Sequence, residues 1–214
     1  VPDRVRVTEI FLSIQGESTF AGWPCAFVRL TGCALRCVWC DSAYAFHGGE
    51  EMEVEQAASR ALALGTALVE ITGGEPLEQE GVYPLMTRLL DAGKTVLLET
   101  GGHVPLDRVD PRVVKIVDVK APGSGMSHAN LPENLEALGP RDELKFVLAD
   151  RADFDWSLAL VTEKNLDAHR VVTFSPVWGS LPAHELAEWI RDSGRRIRLG
   201  LQMHKLLWGD VPGR

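Results

Sequence analysis

The sequence predicts an α/β fold: a partial, open TIM-like barrel of about six parallel strands with helices packed outside, in one domain spanning residues 1–214. Three observations predict it. Short apolar runs alternate with segments of helical spacing, the pattern of a parallel sheet with crossover helices. Polar residues gather at the C-terminal ends of those runs, where α/β barrels build their sites. A closed eightfold barrel takes about 250 residues, and this chain has 214.

The elements follow in order. Val5–Ser13 and Cys25–Leu30 read as strands, and residues 31–42, with Gly32 and three cysteines, as a loop. Val54–Leu64 has apolar positions at helical spacing and stops at Gly65, a natural C-cap. Ala67–Ile71 is a strand running into Thr72-Gly73-Gly74-Glu75-Pro76, and Val82–Ala92 a helix ending at Gly93. Thr95–Leu98 is a strand followed by Glu99-Thr100-Gly101-Gly102, and Val113–Val119 another, ending at Lys120. Leu131–Leu138 is a short helix, Leu144–Leu148 a strand and Phe154–Val161 a helix. Val171–Phe174 is a strand ending at Ser175-Pro176, Ala183–Arg191 a helix, and Ile197–Leu201 the last strand, ending at Gln202-Met203-His204-Lys205. Glu75, Glu99, Asp118, Lys120, Ser175 and Gln202 therefore share one rim.

Composition narrows the function classes. A hydrophobic fraction of 45% with 24% charged residues is ordinary for a globular domain, and a core of this size needs no disulfides. A net charge of −8 argues against a nucleic-acid partner, which calls for a basic face. No window reaches the roughly 18 apolar residues of a membrane span. Val1-Pro2-Asp3-Arg4 carries no long apolar run, so a retained signal peptide is not expected, and Val1 in place of Met points to residues preceding it. Three of the four cysteines lie between Cys33 and Cys40, a clustering that fits a reducing, cytoplasmic compartment.

The cysteines are spaced Cys33-x3-Cys37-x2-Cys40. Three thiols cannot pair off as disulfides. Structural zinc takes four ligands, with Cys25 or His47 the available fourth, although neither has a usual zinc-finger spacing. A [4Fe–4S] cube also has four corners, so three cysteines leave one iron open to a ligand. Thr72-Gly73-Gly74-Glu75-Pro76 lets backbone approach a ligand closely, or is simply a Gly-Gly turn closed by proline. Asp118 and Lys120 at a strand end offer polar contacts, or form an ordinary surface loop; Ser175 is a weaker case of the same kind. Arg29, at a strand end just before the cysteine loop, is a fork for a carboxylate or a surface arginine. Cys25 reads as a buried apolar thiol.

The triplet, with Trp39 before its third cysteine, resembles the radical S-adenosylmethionine superfamily, and Gly73-Gly74-Glu75 resembles that superfamily's GGE segment. The resemblance implies a [4Fe–4S] cluster on Cys33, Cys37 and Cys40. S-adenosylmethionine would bind the open iron and be cleaved to a 5′-deoxyadenosyl radical. Trp39, Cys40, Asp41, Gly73, Gly74, Glu75, Asp118, Lys120 and Ser175 are the implied contacts to it.

A narrower likeness covers nearly the whole chain from about Glu9. Ser13-Ile14-Gln15-Gly16-Glu17, Asp41-Ser42, Glu99-Thr100-Gly101-Gly102, Gln202-Met203-His204-Lys205 and Leu206-Leu207-Trp208-Gly209 resemble the 7-carboxy-7-deazaguanine synthase family. That likeness implies contraction of 6-carboxy-5,6,7,8-tetrahydropterin to 7-carboxy-7-deazaguanine with loss of ammonia, on the route to queuosine-type nucleosides. Implied substrate contacts are Ile14, Gln15, Gly16, Arg29 and Thr72, with Glu17, His204 and the terminal carboxylate, here Arg214, as further ones. The bland readings of Glu17 and His204 are a solvated loop carboxylate and an exposed, capped histidine. Ser42 is the implied Mg²⁺ ligand, an oxygen donor to an ion that keeps other oxygens in its shell. The likeness also implies an external electron donor such as a flavodoxin, and a homodimer. Ser18 stands where the family commonly has glycine, and Gly101-Gly102 replaces a commoner Ser-Gly. Competing readings are a glycyl-radical enzyme activase, which shares the cysteine spacing, and a non-enzymatic zinc or iron–sulfur protein.

Overall fold

One nine-stranded sheet organises the molecule, in the order β3-β1-β2-β4-β5-β6-β7-β8-β9. The structure is a computed structural model that describes residues 3–211 and residue 213. The strands are β1 (Arg4–Ile14), β2 (Pro24–Leu30), β3 (Glu50–Glu53), β4 (Leu68–Gly73), β5 (Thr95–Thr100), β6 (Val114–Asp118), β7 (Glu143–Leu148), β8 (Val171–Pro176) and β9 (Ile197–Leu199). From β2 through β9 the pairings are parallel, giving seven parallel strands where the sequence led us to expect about six. The sheet stays open, since β3 and β9 are its two ends.

The first strand departs from the parallel set. β1 runs antiparallel to both β2 and β3. A register shift between Val7 and Glu9 sets Glu9 opposite Arg29. β3 was not expected from the sequence, because Glu50, Glu51 and Glu53 hide its alternation and only Met52 is buried. Those carboxylates meet β1 instead: Arg4 pairs with Glu51 at 2.7 Å and with Glu53 at 2.8 Å.

Helices α1 (Val54–Leu62), α2 (Val82–Asp91), α3 (Pro132–Ala137), α4 (Arg151–Glu163), α5 (Ala183–Ser193) and α6 (Met203–Trp208) complete the chain. On α2 the buried positions Val82, Leu85, Met86 and Leu89 follow helical spacing and pack into the main core. Removing the Leu85 side chain to alanine costs about 2–5 kcal/mol at such a site. Asp150 caps α4 by accepting from the Asp153 amide at 3.0 Å. α6 was read only as the polar end of the last strand, because its one buried residue is Lys205 and no apolar period marks it. No helix among the described residues is long and apolar enough to cross a membrane.

Strand alternation divides the side chains between two faces. Ala26, Val28, Leu30, Val69, Ile71, Val96 and Leu98 join the main core, which also takes in the helices. The alternate positions face the concave side. There Cys25, Phe27, Leu68, Leu97, Val114 and Ile116 form a second, smaller apolar cluster. Toward the C-terminal ends of the strands this face turns polar, with Arg29, Glu70, Thr72, Glu99, Asp118 and Lys145 all lining one cavity.

Candidate active site

The cavity has a volume of about 500 Å³ and is enclosed by the concave face, the cysteine loop, the loop after β1, and α6. At one end stand Cys33, Cys37, Trp39, Cys40, Asp41 and Ser42, with Gly73 and Gly74 opposite. Their proximity follows from the backbone. The Gly74 amide donates to the Leu30 carbonyl at 3.1 Å, and the Glu75 amide to the Gly32 carbonyl at 2.7 Å. A Cβ on Gly73 would fall inside the Leu30 backbone, and one on Gly74 inside that of Gly32. Gly73 also has φ +140°, a conformation open in practice to glycine.

The thiols fit an open-cornered cluster better than zinc. A tetrahedral zinc with Zn–S bonds near 2.3 Å holds its sulfurs about 3.8 Å apart. Among the described residues, the one group of three or more potential ligands converging within 4.8 Å is Cys33, Glu78 and His103, which shares only Cys33 with the triplet. Neither proposed fourth zinc ligand is in place. Cys25 is buried in the smaller apolar cluster on β2, and His47 is exposed. Burial pushes the Cys33 thiol up to about 11 and raises Cys37 as well, with Lys120 working against the latter shift. Such thiols become thiolates by binding a metal.

Glu75 and Ser175 are not where a direct ligand contact by their side chains requires. Glu75 is fully buried beneath the loop. Its carboxylate accepts from the Leu77 amide at 3.0 Å, the Thr100 hydroxyl at 2.9 Å and the Gly101 amide at 2.8 Å. It is a strut joining β4 to β5, and only the adjacent glycines line the cavity. Ser175 lies in a small space of about 10 Å³ beside Thr173 and Gly200, next to the main cavity and sharing Glu17 and Lys145 with it. Asp118 and Lys120 do line the main cavity and pair at 2.7 Å. Burial acts to lower the Lys120 pKa, but Asp118 and Cys37 outweigh it and carry it up to about 12. Asp118 Oδ1 is buried without a partner among the described residues.

Ile14, Gln15, Gly16, Glu17, Arg29 and Thr72 line the same cavity. Arg29 donates from Nε to Glu9 at 2.7 Å and sits between the rings of Phe11 and Tyr44, 5.9 and 5.7 Å from their centroids. Phe11 and Phe27 stack at 5.1 Å, giving a flat apolar wall. His204 packs so closely on Gly16 that a Cβ there would overlap its ring, and burial lowers its pKa toward the neutral imidazole. Ser42 Oγ lies 3.5 Å from the Gly73 carbonyl and 3.8 Å from Cys40 Sγ. Arg214 lies outside the described residues.

Sequence reasoning missed Glu70, Tyr44 and Lys145. Lys145 pairs with Glu17 and, at 2.7 Å, with Glu99. Burial lowers its pKa, and the two carboxylates more than reverse that. Gln202 donates to Glu17 at 2.9 Å and to Asp41 at 3.1 Å, and Lys205 reaches Asp41 at 2.8 Å. The available signal was a charge at an inward position of an otherwise apolar strand, as in Leu68-Val69-Glu70-Ile71 and Leu144-Lys145-Phe146.

Comparison with known proteins bears on this arrangement. Residues 27–118 match the model of the Radical SAM superfamily. The 7-carboxy-7-deazaguanine synthase of Chlorobaculum tepidum is 45% identical over 95% of this chain and 94% of its own length. The chain belongs to the 7-carboxy-7-deazaguanine synthase family. The synthase of Koribacter versatilis is 47% identical over 95% of this chain and 97% of its own. The crystal structure of QueE from Escherichia coli superposes with a TM-score of 0.78 at 26% identity, covering 94% of this chain and 95% of that one. Ser18 has φ 61°, a left-handed conformation that favours glycine. Its hydroxyl stabilises the turn by accepting from the Phe20 amide at 3.1 Å.

Proposed function

We propose that this chain converts 6-carboxy-5,6,7,8-tetrahydropterin to 7-carboxy-7-deazaguanine with release of ammonia, as a radical S-adenosylmethionine lyase. The observation that carries the reading is one cavity lined together by the three-thiol loop, an arginine, aromatic rings and several carboxylates. Cys33, Cys37 and Cys40 would hold a [4Fe–4S] cluster, and the Gly73-Gly74 backbone with Asp118 and Lys120 the S-adenosylmethionine. Bound there, cluster and cofactor supply a 5′-deoxyadenosyl radical.

The chain's own residues bind, orient and exclude water. Arg29 takes the substrate carboxylate, since one edge of its guanidinium is held by Glu9 and the rest faces the cavity. Glu17 accepts from the amino group of the pterin, as a carboxylate offers only acceptors. Ile14, Gln15, Gly16 and Thr72 border the ring, with His204 above Gly16. The Asp41–Lys205 and Gln202–Glu17 contacts pin α6 over the opening and keep water from a radical. Anaerobic reconstitution, followed by a search for 5′-deoxyadenosine and a deazapurine from carboxytetrahydropterin, tests the reading. Cofactor cleavage without the deazapurine would sink it.

Three finer assignments belong to the same proposal. Ser42 supplies one oxygen to Mg²⁺ once substrate oxygens complete the shell. Ser42→Ala should shift the magnesium titration to higher concentration, and an unchanged titration removes Ser42 from the metal. The electron donor is a flavodoxin-like protein working in the reducing cytoplasm that a chain without disulfides calls for; failure of reduced flavodoxin to support turnover would exclude it. The active form is a homodimer, supported by Leu199 on the terminal strand and Leu206, Leu207 and Trp208 on α6, all exposed. Sedimentation should show a dimer that Leu207→Glu weakens; a wild-type monomer at micromolar concentration would refute it.

A further inference from the structure

β4 presents Thr72 and Glu70 to the cavity two residues apart. The reading above uses Thr72 and leaves Glu70 without a role. Glu70 is 3% exposed, and β4 sets it between the polar end of the cavity and the smaller apolar cluster. A carboxyl in that position is costly unless it does something for the site.

Its hydrogen-bond partner is the side chain of Gln15, whose Nε2 donates to Glu70 Oε2. The other end of the same carboxamide accepts from the Glu17 amide at 2.9 Å. Both ends of the Gln15 side chain are therefore engaged by protein. The Gln15 backbone is engaged as well: its amide donates to the Trp23 carbonyl at 2.8 Å, and its carbonyl accepts from the Gly22 amide at 2.8 Å. One residue on, the Gly16 carbonyl accepts from the Met203 amide at 2.9 Å, at the start of α6. Glu70 is thus the fixed point, on a rigid central strand, from which the Ile14–Glu17 segment and the α6 cover are registered.

We propose that Glu70 is a substrate-positioning residue: through the Gln15 carboxamide it holds the Ile14–Glu17 segment in the register that binds the pterin. The proposal rests on the reading of that segment as a pterin contact. Burial, with Glu99 and Glu17 nearby, raises the Glu70 pKa well above the usual carboxylate range. Glutamine keeps a side-chain oxygen that can accept from Gln15 Nε2, so it should replace the acid.

The test is anaerobic measurement of pterin and S-adenosylmethionine binding and of KM and kcat on the cluster-loaded enzyme, for Glu70→Leu, Glu70→Gln, Gln15→Met and the Glu70→Leu/Gln15→Met pair. The pterin Kd and KM should rise about tenfold in Glu70→Leu, with kcat falling less and cofactor affinity unchanged. Glu70→Gln should restore them. The double variant should be no worse than either single one, because the two side chains act as a unit. If Glu70→Leu does not fold, Gln15→Met breaks the same link from its other partner, on the segment after β1 rather than on the central strand, and carries the prediction alone. Unchanged pterin binding in that variant overturns the proposal. So does an equal loss of cofactor and pterin binding, or a Glu70→Gln enzyme as impaired as Glu70→Leu. A wild-type holoenzyme that fails to bind the pterin overturns the functional reading as well, and so separates the two failures.

Discussion

Arg29 is held in a way that leaves it half committed. Glu9 fixes Nε, and the rings of Phe11 and Tyr44 flank the guanidinium. Tyr44 donates to the same Glu9 at 2.8 Å, so the acid is steadied too. That arrangement pre-organises a fork for a carboxylate at little entropic cost. Arg29→Ala should raise the pterin Kd tenfold or more and leave S-adenosylmethionine affinity unchanged. Arg29→Lys should recover little of it, since an ammonium keeps the charge and loses the fork. A fall in cofactor affinity instead would reassign the residue. Arg29 was legible in the sequence because it ends an apolar strand beside the cysteines. Glu70 and Lys145 were not, because an inward charge inside a strand reads as a solvent-facing one until the neighbouring strands show which face is concave. Ser175 ends a strand as expected and borders a small space that shares Glu17 and Lys145 with the main cavity.

At the scale of elements, the site depends on the seam between β4 and the cysteine loop. Gly73 and Gly74 let the two backbones touch, and the Glu75 strut ties the seam to β5. A methyl at Gly73 meets backbone, which cannot swing aside as a flexible side chain would. Gly73→Ala should therefore displace the loop that carries Cys33, lowering iron content after reconstitution along with the melting temperature by several degrees. Full iron loading at wild-type stability would show that the seam tolerates separation. The strand–helix alternation and this glycine pair were readable because they obey local rules of period and turn chemistry. β3 and α6 were not. β3 is an edge strand held by ion pairs to Arg4 and Arg6, and α6 exposes its leucines, so neither shows the apolar period by which such elements are found.

Across the whole molecule, one polar network joins the start of the chain to its end. Lys145 on β7 binds Glu17 from the loop after β1 and Glu99 from β5, while Gln202, just before α6, and Lys205 on α6 reach Glu17 and Asp41. Within it the carboxyls are pushed apart. Burial acts to raise Glu99 and Asp41, but Lys145 and Lys205 respectively outweigh it and hold both below their ordinary values. Glu70 goes the other way, raised by burial and by Glu99 and Glu17 against the opposing pull of Lys145 and Arg29. The linkage consequence has a definite sign. A carboxyl whose pKa is raised on folding binds its proton more tightly in the native state, so its effect on stability is most favourable below the unfolded value of about 4.3. That advantage drains away as pH climbs from there toward the raised native value. Glu70→Gln removes the titration and keeps a neutral acceptor for Gln15. The melting temperature of Glu70→Gln relative to wild type should therefore improve as pH climbs from about 5 toward the raised native value, measured anaerobically with the cluster loaded. The Asp41 term runs in the opposite direction but does not involve Glu70, so it is common to both proteins and cancels in the difference. A difference that stays constant over that range would mean that Glu70 is already ionised at pH 5. The central strand would then be holding a charged carboxylate, and Gln15 would be bound by a charge that glutamine cannot imitate.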